Sequence, residues 1–407
     1  VNDRRLLPEQ IEEPTMSFNY PLASTTWDEE EKAAIDRVTA SGRFTMGPEV
    51  RAFEEAFAAH FGARRAVMVN SGSSANLLGV TAAMYHPTLG LKPGDEVIVP
   101  AVSWSTTFYP IHQNRLVLRF VDIDRDTLDI APDLVEAAIT ERTRAIFAVD
   151  LLGNPCDFDR LRAIAEKHGL LLFEDNCESM GATYGGRAAG TFGLFGTFST
   201  FFSHHICTME GGVVVTDDEA LYNTMLSVRA HGWLREQPAD SHLATEVDDF
   251  TRLFRFVLPG YNLRPLEMEG ALGQTQLRKL PEFVRRRREN AADFVRLFGD
   301  VPGLRLQKET GESSWFGFAM ILEGPLAGRR AELVEILRRE GVDCRPIVAG
   351  NFLANPVLRH LDHSVAGPVP VAEEIDAHGL FIGNHHHPVG NGLAVVADLV
   401  RHFAATA

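Results

Sequence analysis

Short apolar runs that alternate with stretches of helical periodicity constrain this chain more than any other feature. The runs fall at 66–69, 96–100, 117–121, 145–149, 170–173, 197–201 and 212–215 and are rich in Val, Ile, Leu and Phe. Between them, 28–41 has helical spacing, an acidic first turn and Gly42 as a stop, and 132–139 and 157–168 read similarly, as helices with a favourable N-terminal charge do. Apolar strands alternating with helices build a mostly parallel sheet covered by helices. The pattern therefore predicts a doubly wound α/β layer.

After about residue 265 the pattern changes. Two Arg-rich helices are predicted at 266–277 and 281–298, then a strand at 315–321 and a helix at 327–340. With 407 residues, 45% of them hydrophobic, the chain exceeds what one core usually supports. The expected division is an N-terminal arm and large domain over 1–264 and a smaller α+β domain over 265–407. Residues 237–250 are polar and acidic, and loops of that length in compact proteins are often functional.

The net charge of −16 repels a polyanion, and no basic run interleaved with aromatics offsets it, so nucleic acid is not an expected partner. No apolar stretch is long enough to cross a membrane, and residues 1–14 lack the apolar centre of a signal peptide. The expected location is the cytoplasm. Cys156, Cys177, Cys207 and Cys344 are too scattered for a disulfide framework and are expected to be reduced. Lysine is scarce: five residues, Lys32, Lys92, Lys167, Lys279 and Lys308, among 39 lysines and arginines.

Three segments carry chemistry. NSGSSAN at 70–76 follows an apolar run and opens a helical one, so its amides and hydroxyls fit a phosphate at a helix N-terminus, or equally a serine-rich cap. LLLFEDNCE at 170–178 delivers carboxylates to the C-terminal end of a strand, where α/β sheets place their ligands. An aspartate there can pair with a protonated pyridine nitrogen, cap a helix or hold a metal. The third segment, 198–212, joins two strands and contains His204 and His205 before Glu-Gly-Gly. It reads as a tight connection, a pair of core histidines, or part of a metal site that would need further ligands.

The order of these segments resembles the sugar aminotransferases of the DegT/DnrJ/EryC1/StrS family, from Tyr20 to His385. The resemblance implies a fold-type-I, aspartate aminotransferase-like enzyme that uses pyridoxal 5′-phosphate or pyridoxamine 5′-phosphate. It assigns Gly72, Ser73 and Ser199 to the coenzyme phosphate, Trp104 to stacking on the ring, Asp175 to the pyridine nitrogen and Glu178 to the ring hydroxyl. Asn262 matches the residue given to the neighbouring subunit's phosphate site, which implies a homodimer with shared active sites. His231 and Arg345 fall on the substrate side.

One position departs from the family majority. Aminotransferases carry a lysine five residues after the serine matched by Ser199, whereas this chain has His204, and no lysine lies between Lys167 and Lys279. That departure resembles the sugar 3-dehydratase branch, as do VIVPAVSWSTT at 97–107, SHHI at 203–206 and CRPIV at 344–348. Its implied reaction removes the 3-hydroxyl of a nucleotide-linked, GDP-type 4-keto-6-deoxyhexose to give a 3,6-dideoxysugar. L-glutamate recharges the coenzyme, which is held without a lysine, and ammonia is released. Imidazole, with an ordinary pKa of about 6.5, suits the proton transfers this requires. The iron–sulfur dehydratases carry a Cys-x-Cys pair; this chain has none, so neither a metal cluster nor a reductase partner is expected.

Overall fold

The computed structural model describes residues 18–406. The expectation about a signal peptide at 1–14 lies outside them. An eight-stranded sheet organises the chain, in the order Arg65–Val69, Gly212–Thr216, Phe195–Ser199, Leu171–Asp175, Thr143–Val149, Glu96–Pro100, Val117–Val121 and His363–Val365. Only Gly212–Thr216 runs against its neighbours; every other pairing is parallel. All seven sheet strands expected from the apolar runs are present. The run expected at 197–201 is a strand over Phe195–Ser199, because Thr200 turns back to accept the Thr208 amide at 2.9 Å.

The centre of the sheet is aromatic. Phe173 stacks on Phe195 at 4.6 Å and meets Phe147 edge-on at 5.8 Å, all three essentially without solvent contact. Burying side chains of this size contributes about 1.5–3 kcal/mol each. Helices cover both faces. Gly72–Met84 lies against the sheet so closely that a Cβ on Gly79 would sit 2.5 Å from the Phe195 ring.

A four-stranded antiparallel sheet, Leu304–Leu306, Gly317–Leu322, Gly379–Gly383 and Cys344–Arg345, forms its own core with Phe294, Phe318, Leu333 and Val396. The predicted helix at 327–340 is Arg330–Arg339. The two helices predicted around residue 280 are one, Glu267–Phe298, with Pro281 inside. Proline removes one helical hydrogen bond, but Leu277, Leu280, Phe283 and Val284 are buried on both sides of it, and that packing carries the helix through. His363–Val365, from the C-terminal third, returns to extend the large sheet. The long polar segment is irregular until the short helix Asp249–Arg252. Among the described residues no helix is long and apolar enough to cross a membrane.

Phe173→Ala should cost about 3–5 kcal/mol, the usual range for emptying a buried aromatic site. Chemical denaturation of the purified variant checks it; a loss under about 1 kcal/mol would mean that the sheet centre recloses around the gap.

Candidate active site

The parallel strands end on one side of the large sheet, and polar residues gather there. Asp175 closes Leu171–Asp175 and is almost fully buried. Its Oδ2 accepts hydrogen bonds from Asn76 Nδ2 at 2.8 Å and Thr107 Oγ1 at 2.7 Å, and its Oδ1 accepts from the Cys177 amide at 3.2 Å. Thr197 donates at 2.6 Å to Asn76 Oδ1, which orients that amide. Asp175 is thus held by the helices Gly72–Met84 and Ser105–Gln113 and, through Asn76, by Thr197 of a neighbouring strand.

The serine loop sits beside it. Ser71 caps the helix Gly72–Met84 by accepting the Ser74 amide at 3.0 Å. Gly72 faces the end of Phe195–Ser199: a Cβ there would lie 2.7 Å from Ser199 Cβ and 3.0 Å from its Oγ. The absence of a side chain keeps a small polar cradle open between a helix N-terminus and the Ser199 hydroxyl, the combination that holds phosphates. Ser73 is exposed at its rim.

Trp104, at the N-cap of Ser105–Gln113, is 58% exposed, a large indole with a free face. Glu178 accepts the Leu152 amide at 3.1 Å. Burial pushes its carboxyl up to about 7, and the negative charge of Asp175 adds to the rise.

His204 lies five residues beyond Ser199 in the loop that returns to Gly212–Thr216. Its amide donates to the Phe201 carbonyl at 2.9 Å, and its ring meets Phe316 at 5.1 Å. Its Nδ1 is buried and has no hydrogen-bond partner among the described residues. Burial, and then the Arg287 charge, lower the imidazole to about 4. His205 turns inward, fully buried, with Nε2 at 3.2 Å from the Ser314 carbonyl.

His231 adopts the left-handed region, φ 62°, and its amide donates to Tyr261 at 2.6 Å. Ala230 pairs with Asn262, whose Oδ1 accepts from Arg264 Nε at 2.9 Å. The Asn70 amide donates to Leu263 at 3.1 Å, which ties this segment to the serine loop. Arg345 is exposed on the small sheet. Among the described residues none of His231, Asn262 and Arg345 hydrogen-bonds to Asp175, Ser199 or His204. Sequence reading missed Asn76, Thr107 and Thr197 as the grip on Asp175. Asn76 and Thr107 stand inside motifs already singled out, but nothing in a linear motif says which carboxylate a side chain reaches.

A family model described as the DegT/DnrJ/EryC1/StrS aminotransferase family matches residues 25–401. The chain belongs to that family. It is 56% identical over 371 residues to the GDP-4-keto-6-deoxy-D-mannose 3-dehydratase of Yersinia pseudotuberculosis, covering 90% of this chain and 94% of the relative. The enzyme of the same description from Escherichia coli O55:H7 is 53% identical, covering 90% and 96%. A solved structure of E. coli GDP-4-keto-6-deoxy-D-mannose-3-dehydratase with bound hydrated PLP superposes with a TM-score of 0.92 at 51% identity, covering 94% of this chain and all of that one. The fold is therefore the fold-type-I, aminotransferase-like one, and the family's coenzyme is pyridoxal phosphate.

The residues present fit that coenzyme. The cradle at Gly72 would be filled by a single Cβ, Asp175 is a buried carboxylate without an ion-pair partner among the described residues, and the Trp104 face is open. Gly72→Ala should close the cradle and weaken coenzyme binding by at least about tenfold, or about 1.4 kcal/mol, with little change in fold. Coenzyme titration followed by absorbance, beside circular dichroism, checks it; unchanged affinity would place the phosphate elsewhere.

Proposed function

We propose that this chain is a GDP-4-keto-6-deoxy-D-mannose 3-dehydratase. It removes the 3-hydroxyl of the nucleotide-linked 4-keto-6-deoxyhexose and releases ammonia, with L-glutamate as amino donor. The observation that carries the reading is His204: the position that follows Ser199 by five residues holds a half-buried imidazole whose Nδ1 is enclosed and has no hydrogen-bond partner among the described residues, and no lysine lies between Lys167 and Lys279. Imidazole has no primary amine, so it cannot make the covalent Schiff-base link that a lysine makes in an aminotransferase. Related structures support the substrate class. One GDP-4-keto-6-deoxymannose-3-dehydratase is described with a trapped PLP-glutamate geminal diamine, and a mutant of it with bound GDP-perosamine.

Pyridoxamine or pyridoxal phosphate, when bound, supplies an electron sink that lets a proton leave carbon and a neighbouring hydroxyl depart. The chain's own residues do the rest. Gly72, Ser73 and Ser199 hold the phosphate, Trp104 offers its face to the ring, and Glu178 meets the ring hydroxyl. Asp175 keeps a negative charge at the pyridine nitrogen, stabilised by Asn76 and Thr107. His204 acts as the base. Because burial holds it neutral, its nitrogen is ready to accept a proton at working pH, and the same burial disfavours the imidazolium, so the proton is readily handed on to the departing 3-hydroxyl oxygen.

His231 and Arg345 serve the substrate side. Asn262 completes the phosphate site of a neighbouring copy in a homodimer. The solvent-exposed Phe44, Phe254, Phe256 and Leu266 are surface that a second copy would cover. The reaction takes place in the cytoplasm without nucleic acid, membrane, iron–sulfur cluster or reductase.

Ammonia release from GDP-, CDP- and dTDP-4-keto-6-deoxyhexoses, with pyridoxamine phosphate and glutamate, tests the reading; it should be greatest with the GDP sugar. His204→Asn should lower kcat by about 10²–10⁴, as loss of a general base does, and still bind coenzyme and sugar. Asp175→Asn should lower kcat by at least about 10². The pH profile of kcat/KM should stay level where free histidine titrates, about 6.5, and fall nearer about 4 as His204 is protonated. Wild-type turnover in His204→Asn would move the base elsewhere, and an aminosugar product would return the chain to the aminotransferases.

A further inference from the structure

His204 stands on a loop of the large sheet, yet the ring that packs against it comes from the small one. Phe316 immediately precedes the strand Gly317–Leu322, and its ring lies 5.1 Å from that of His204 and 5.9 Å from that of His205. The backbone behind that ring is held at every point. The Phe316 amide donates to the Leu152 carbonyl at 3.0 Å and the Ser314 amide to Gly153 at 2.9 Å. The buried Arg287 donates to the Phe316 carbonyl at 3.2 Å, and Asn384 donates to Trp315 at 2.9 Å. His205 Nε2 closes the circuit on the Ser314 carbonyl.

The two segments that meet here are both strained. Leu152 has φ 55° and Trp315 φ 49°, the left-handed region that side chains other than glycine rarely adopt. Gly153, φ 102°, lies between them, and a Cβ on it would come within 2.3 Å of the Trp315 amide nitrogen. Leu152 in turn donates to Glu178, so the turn that grips Phe316 is the one that grips the proposed ring-hydroxyl partner. Strain of this kind persists where surrounding contacts over-determine it, and it gathers at working sites.

We propose that Phe316 is a positioning residue for His204: pinned by Leu152 and Arg287, its ring fixes the plane of the imidazole and shields it from water, so that the small sheet aims the base of the large one. This rests on His204 being the base. Removing the ring leaves the loop 200–208 anchored by its own Thr200–Thr208 contacts but lets the imidazole rotate and hydrate. Of the charged and titratable groups facing His204, Arg287 comes from the helix Glu267–Phe298 and His205 from its own loop; the segment 314–316 brings none. Hydration therefore moves the imidazole upward, toward its ordinary value.

The test compares Phe316→Ala and Phe316→Tyr in the holoenzyme and follows the His204 imidazole by NMR titration in the protein without substrate. Phe316→Ala should lower kcat by about 10- to 100-fold, the cost of a loosely aimed group. KM and coenzyme affinity should stay within about twofold. The titration should rise from about 4 toward about 6.5. Phe316→Tyr, which keeps the ring, should restore both. If Phe316→Ala does not fold, Phe316→Leu is read on the same measures. An unmoved titration, or wild-type kcat in Phe316→Ala, overturns the proposal. Absence of ammonia release from the wild-type enzyme would instead overturn the assigned reaction, and the titration would still decide whether Phe316 aims His204.

Discussion

A carboxylate buried without a cation is the constraint on which the rest of this site depends. Asp175 ends a central strand, almost out of water, and among the described residues its carboxylate is met by hydrogen bonds from Asn76, Thr107 and the Cys177 amide and by no cation. Taking an ion out of water is costly unless it is paired. It is not alone. Burial raises Glu178 and Asp150 to about 7 and Glu174 to about 8, so the C-terminal edge of the sheet is a low-dielectric region crowded with acids. In the proposed function a cationic ring nitrogen beside Asp175 would relieve that excess; Asn76 and Thr107 hold the aspartate in place.

His204 meets the same low dielectric with the opposite result. Burial that makes carboxyls harder to ionise makes an imidazole harder to protonate, and Arg287 adds to the effect. One solvent property, exclusion of water by the apposed segments, thus shifts these carboxyls and this imidazole together toward their neutral forms. Arg287 is buried on the carbonyls of Trp315, Phe316 and Asn384 rather than on a carboxylate. It joins the long helix to the turn that faces His204, which makes the surroundings of the proposed base a property of both sheets.

Much of this was legible in the chain. Seven apolar runs became seven strands because a strand buried on both faces must be apolar along its whole length. The place of Asp175 at the end of its strand was legible because the C-terminal edge of a parallel sheet concentrates polar groups in a few short turns, whereas Ser199 was singled out only by the family resemblance. The continuous helix through Pro281 was not, since local propensity reads proline as a stop, and only the burial of Leu277, Leu280, Phe283 and Val284 against other elements outweighs it. Nor was the edge strand His363–Val365, three residues with no apolar signature, which pair because the returning chain places them beside Val117–Val121.

The sequence by itself determined the family, the α/β architecture and the replacement of a lysine by His204, because each is written in local patterns that survive without a partner. It could not say what holds those residues. That Asn76 and Thr107 grip Asp175, 99 and 68 positions away, and that Phe316 lies against His204, are contacts between distant segments. Only the tertiary structure decides them, because a side chain's environment, and with it its charge and aim, is set by whatever folding packs against it.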